Sequence, residues 1–149
     1  MPQLAKWTIY LHSTQRFLTI VNILVIMHVP AKHPQEIEVW YVLPAVRKEL
    51  VRALKVAGHS QKKIAELLNV TESAISQYLK EKRGKTADLS QDVKDFVDKA
   101  ALKIKDKTTA YRQIQDICKY IKESKALCQI HAGFEEGLDA CDICYIKTK

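Results

Sequence analysis

The residues predict an all-α fold. It comprises a helix-turn-helix domain of four to five helices and a small cysteine-rich C-terminal subdomain built on a metal or Fe–S site. Three observations carry this expectation. Between Pro44 and Lys125 apolar residues recur at helical spacing, and the 149 residues hold only four glycines and four prolines to interrupt them. No segment alternates with period two for long enough to claim a sheet, Ile37–Val42 being the one stretch that comes near. All four cysteines fall in the last 32 residues. With 47% hydrophobic residues the chain can bury a modest core, as one compact domain or two small ones. The organisation expected is an N-terminal extension over 1–35, a helix-turn-helix domain over 36–86, and a helical and cysteine-cluster domain over 87–149.

Residues 1–35 contain no acidic side chain, and Phe17–Met27 is an apolar run of 11 residues, too short for an ordinary membrane span. Lys6 and Arg16 imitate a signal peptide, but no small-residue cleavage pattern follows. Three readings stand: translation beginning at Met27, an extension that packs on a partner subunit, or a membrane tether. Downstream, Val46, Leu50, Leu54 and Val56 make an apolar stripe after Pro44, which suits a first helical turn. Gly58 ends that helix and Ser60 can cap the next. Ser90 can cap a helix carrying Val93, Phe96, Val97, Ala100, Leu102 and Ile104. Thr108 or Thr109 can open another, carrying Ile114, Ile117, Tyr120 and Ile121.

The twenty-residue core starting at Gln61 has the pattern of a helix-turn-helix. Its fifth, ninth and fifteenth positions are Ala65, Asn69 and Ile75. Close helix crossing requires a small side chain at Ala65. The tight turn requires a left-handed backbone, which Asn69 tolerates best after glycine. Leu68, Val70 and Ile75 close the core between the two helices, and Thr71 can cap the second one.

Charge concentrates on the same segment. Residues 41–85 hold ten Lys/Arg against four Asp/Glu, giving +6 of the chain's formal +7. Residues 86–149 balance eleven against eleven. A basic surface of this kind releases counterions from phosphates and drives affinity for double-stranded DNA.

In a helix-turn-helix the N-terminal half of the second helix enters the major groove. The residues expected at base edges are Thr71, Glu72, Ser73, Ser76 and Gln77. Gln77 can pair with adenine and Glu72 can accept from cytosine. Gln61, Lys62 and Lys63 open the first motif helix, where phosphate contacts usually fall. Lys80, Lys82 and Arg83, with Lys85 beyond them, suit the DNA backbone.

The cysteines Cys118, Cys128, Cys141 and Cys144 are spaced C-x9-C-x12-C-x2-C. A DNA-binding protein works in a reducing cytoplasm, where structural disulfides are uncommon. Clustering therefore points to a metal. Zinc modules usually bring two short hooks, and here only Cys141 and Cys144 form one. Isolated cysteines with apolar neighbours plus one close pair also suit a [4Fe-4S] cluster. His131, at C-x2-H after Cys128, can replace a cysteine in a zinc site. Both cofactors stay open, the cluster being the leading expectation and zinc the alternative.

The run EVWYVLPAVRKELVRALKVAGHSQKKIAELLNVTESAISQYLKEKRGK resembles a family of small archaeal regulators with an XRE-type, phage-repressor-like helix-turn-helix. The resemblance extends from Glu36 to Cys144, and Val42–Leu50 is its most distinctive part. It implies a cytoplasmic transcriptional regulator that binds promoter DNA as a homodimer, with a short cysteine-bearing tail. Such tails often open with a close cysteine pair, and here Gln115 stands where the additional cysteine would be.

Two mechanisms then compete. The cysteine site senses redox state or oxygen and alters operator affinity, or it only holds together a tail too small to fold alone. An enzyme is not expected. No zinc-hydrolase or deaminase frame, phosphate-cradling loop or nucleophile elbow is present. The rival outside the regulator class is a nucleic-acid-binding or interaction protein without sequence preference.

Overall fold

The computed structural model describes residues 31–85, 87–136, 138, 141 and 143. The readings of residues 1–30 and the ligand role of Cys144 lie outside this set. The described residues are helical, with no strand among them.

Helix α1 (Pro34–Ile37) opens with a reciprocal cap in which the His33 N–H donates to Glu36 Oε2 at 2.8 Å. A π-helical segment, Glu38–Val42, continues it without a break into α2 (Leu43–Val56). The Leu43 N–H reaches back five residues to the Glu38 carbonyl. Pro44 supplies the reason for the wider turn. In an uninterrupted α-helix its ring would strike the carbonyl of Trp40, four residues back, and it has no N–H to donate there. The near-alternation of Ile37–Val42 is therefore not a strand. Ile37 and Val42, five apart, are buried, while Val39 and Trp40 are 59% and 71% exposed. Pro44 stands in the first turn of α2, the position expected for it, with helical backbone already leading into it from the π segment.

Gly58 ends α2 as expected. At φ +90° it lets His59 N–H reach the Leu54 carbonyl and its own N–H reach that of Lys55. Val56 stands 79% exposed, because two residues beyond Leu54 is off the buried stripe. Helices α3 (Gln61–Leu68) and α4 (Glu72–Leu79) follow. The chain then crosses to α5 (Gln91–Ala101), α6 (Lys107–Glu123) and α7 (Ala126–Ala132).

Ser90 occupies the N-cap position of α5 but its side chain makes no capping bond. Leu102, expected on the helix's apolar face, is 78% exposed just past its end, whereas Ile104 is buried. Asp106, rather than Thr108 or Thr109, opens α6. Its carboxylate accepts from the Thr109 N–H at 2.8 Å, and the Thr109 hydroxyl accepts in return from the Asp106 N–H at 3.0 Å. An acidic cap also complements the positive end of the helix dipole.

Helix α2 is the central element. α3, α4, α5 and α6 all pack on it, and α6 also contacts α3, α5 and α7. Val46, Leu50, Val51 and Leu54 of α2 meet Val93 and Val97 of α5 and Ile117 and Ile121 of α6 in one cluster of buried side chains. That cluster includes residues from both 36–86 and 87–149.

Two ring pairs fasten its edges. Phe96 and Tyr120 stack at 4.5 Å between α5 and α6, and Tyr41 stacks on Phe134 at 4.1 Å. A polar clamp adds to the α2–α5 contact. Arg52 donates from Nε to Glu49 at 2.8 Å and from Nη2 to Asp98 at 2.6 Å. The Glu49 hydrogen bond comes first among the influences that hold the guanidinium pKa up.

Candidate nucleic-acid interface

Local chemistry fixes the α3–α4 pair. Ser60 Oγ accepts from the Lys63 N–H at 3.2 Å, and Thr71 Oγ1 accepts from the Ala74 N–H at 3.2 Å. Caps of this kind stabilise by about 1 kcal/mol each. Between the helices Asn69 lies in the left-handed region, at φ 52° and ψ 48°. The Val70 N–H then reaches the Ala65 carbonyl at 3.0 Å, and the Asn69 N–H reaches that of Glu66. Two of the four orphan carbonyls at the end of α3 are thus used in a Schellman arrangement.

The same arrangement closes α4. Glu81 adopts φ 54°, Lys82 N–H donates to the Gln77 carbonyl, and Glu81 N–H donates to that of Tyr78. Ile64, Ala65, Leu67, Leu68, Ala74, Ile75 and Tyr78 are buried, and Val70 packs against them partly exposed.

This packing decides what faces outward. On α4 the buried positions are Ala74, Ile75 and Tyr78, so Glu72, Ser73, Ser76, Gln77 and the following Lys80 occupy the opposite side. Glu72, Ser73 and Gln77 are exposed and Ser76 is half-buried. Thr71 is exposed as well, but its hydroxyl oxygen already accepts a capping bond, which leaves mainly its proton for a partner. Gln61, Lys62 and Lys63 are exposed on the first turn of α3.

Lys63 lies 3.4 Å from Glu66, an exposed pair of little energetic consequence. Lys62, Lys80 and Lys82 make no ion pair among the described residues. Arg83 lies over the Tyr78 ring at 5.9 Å, which gives it a preferred position that the sequence did not reveal. All the residues expected to contact DNA therefore lie on the surface of this helix pair and the loop after it.

The cysteines are arranged differently. Cys118 is buried on α6, and desolvation raises its thiol pKa to about 11. Such a sulfur stays protonated at neutral pH. Cys128 on α7 and Cys141 are half-buried. Among the described residues no three His, Cys, Asp or Glu side chains come together to hold a metal. Cys144 lies outside the described residues, so the four-cysteine set is not complete among them, and no step below runs through a [4Fe-4S] cluster or zinc.

His131 is buried, with Nε2 3.6 Å from Glu135 Oε1. Glu135 also accepts from the N–H groups of Ala31 and Lys32, and these bonds hold its carboxyl pKa down. No helix among the described residues is long and apolar enough to cross a membrane. The chain matches no family model, no curated protein and no solved structure.

Proposed function

We propose that this chain is a cytoplasmic, sequence-specific DNA-binding regulator that reads the major groove with α4 and acts as a homodimer. The observation that carries the reading is the outward face of α4. Glu72, Ser73, Ser76 and Gln77 present hydrogen-bonding groups on one side of a helix whose other side is buried. Lys62 and Lys63 at the start of α3, and Lys80, Lys82 and Arg83 after the reading face, supply cations around it. That is the distribution a helix-turn-helix needs: polar groups where base edges lie and cations where phosphates flank them. The left-handed Asn69 and the small Ala65 support the same assignment, since they permit the short turn and close crossing of such a pair.

In the proposed mechanism Lys62, Lys63, Lys80, Lys82 and Arg83 dock on phosphates and position the pair. Gln77 and Ser73 then discriminate bases. A symmetric dimer would place two α4 helices on half-sites one helical turn apart.

The test is selection from a random duplex pool, followed by a titration at several salt concentrations. Five phosphate contacts per protomer, ten per dimer, predict a slope of log affinity on log salt of about −9. Removing any one of the five cations removes a contact from each protomer and should reduce the slope by about two. A selected consensus with two symmetric half-sites supports the regulator. The same salt slope with no enriched sequence would instead identify a non-specific nucleic-acid binder.

A further inference from the structure

We infer that the cavity between α2, α3 and α6 is a binding site for a small organic anion, an apolar body carrying a carboxylate. The cavity measures about 420 Å³. That lies within the range of roughly 300–1,000 Å³ usual for small-molecule sites. Leu43, Leu67, Ala110 and Ile114 give it an apolar wall, and Arg47 and Lys107 are its charged groups. No carboxylate among the described residues lines it. Neither cation is ion-paired among the described residues. Arg47 Nε is shielded from solvent and has no acceptor among the described residues. The charge of the guanidinium that lines the cavity is thus unmatched there, and a carboxylate is the acceptor that best fits a guanidinium fork.

The wall and the cations together define the ligand class. A cationic or zwitterionic molecule would place positive charge beside Arg47 and Lys107. A bare phosphate, including one from a DNA backbone, has no apolar body to cover Leu43, Leu67, Ala110 and Ile114. An aromatic or aliphatic carboxylate satisfies both. Asn69 also lines the cavity, so an occupant touches the turn that leads into α4 while leaving Ser73 and Gln77 clear. Such a ligand bridges the α3–α4 pair to α6 and can bias how the pair is presented. This regulatory part rests on the DNA-binding reading; the binding part does not.

The experiment titrates the full chain, without DNA, with benzoate, hexanoate, acetate, benzamide and inorganic phosphate, following amide resonances of α2, α3 and α6. Benzoate or hexanoate should bind saturably, on the order of tenfold more tightly than acetate, benzamide or phosphate. Arg47→Gln should weaken that binding on the order of tenfold, and Lys107→Gln, at an exposed position, should weaken it without disturbing the fold.

The assignment is overturned if folded wild-type protein binds neither benzoate nor hexanoate, if either binds no tighter than phosphate, or if Lys107→Gln changes nothing. Repeating the titration on a selected duplex separates the two parts. Ligand binding without any change in DNA affinity removes the regulatory role. Ligand binding by a chain that shows no DNA affinity removes the DNA reading and leaves the cavity assignment standing.

Discussion

A Cβ built on Gly84 lies 2.5 Å from the carbonyl oxygen of Pro44 and 3.0 Å from Lys48 Cβ. Gly84 also adopts φ +71°. The loop leaving α4 is thereby pressed against the first turns of α2, the same place where Pro44 forces the π-helical widening. This contact, with the 3.4 Å pair of Lys48 and Glu81, sets where Lys82, Arg83 and Lys85 emerge.

Gly84→Ala should therefore destabilise by about 1–3 kcal/mol, because the overlap is with backbone that cannot step aside and the left-handed φ is strained for alanine. Chemical denaturation measures the loss. If the loop relieves the overlap by moving away from α2, DNA affinity should fall further than stability does. A fully stable Gly84→Ala protein would show that this contact is not tight in solution.

Arg52 binds Glu49, which is largely buried, and the exposed Asp98. Removing the arginine leaves the Glu49 carboxylate short of its partner, which costs more than the loss of an exposed ion pair. Arg52→Ala should lower stability by about 1–3 kcal/mol, while Asp98→Ala should cost under about 1 kcal/mol. Urea unfolding of the two variants side by side gives the comparison, and equal losses would contradict it.

Asp106 accepts the Thr109 N–H at the start of α6, and that backbone bond leads the causes that depress its carboxyl pKa. The folded value lies below the unfolded one. The contribution is therefore present above about pH 4 and is lost as pH falls through the depressed folded value. Asp106→Asn keeps a capping oxygen but cannot titrate. Thermal unfolding from neutral pH down to about pH 3 should show a smaller acid loss in this variant than in the wild type.

Cys118 is buried and its thiol pKa stands at about 11. It should react with a thiol reagent at neutral pH only when α6 opens, and so far more slowly than a half-exposed cysteine such as Cys141. Mass spectrometry of a time course resolves the sites. Rapid labelling of Cys118 in native protein would contradict its place in the core.

The segments most legible in the sequence were those specified by local rules. Ser60, Thr71, Gly58 and Asn69 each act at a helix end through their own backbone or hydroxyl, so residue type and spacing sufficed. Asn69 even takes the left-handed conformation that its position required. Illegible were the features that depend on distant packing.

The π turn arises from a Pro44–Trp40 conflict inside a longer helix, and a proline alone reads equally well as a helix start. Asp106 outcompeted Thr108 and Thr109 because the cap is reciprocal, and a threonine pair resembles a start by itself. The burial of Cys118 in the core was likewise not legible, since one-dimensional spacing does not say which way a cysteine on α6 points. Arg47 and the seating of Arg83 on Tyr78 have no sequence signature, since both come from tertiary neighbours.

The central claim is that α4 reads bases. Fluorescence anisotropy of the full chain on a selected duplex and on a scrambled duplex, at physiological salt, tests it most directly when repeated with Gln77→Ala and Lys82→Ala. The account predicts that wild type prefers the selected duplex by on the order of a thousandfold or more. Gln77→Ala should lose about 1–3 kcal/mol on the selected duplex alone, and Lys82→Ala should weaken both duplexes alike. Equal wild-type affinity for the two duplexes, or a Gln77→Ala protein that discriminates as well as the wild type, would contradict it.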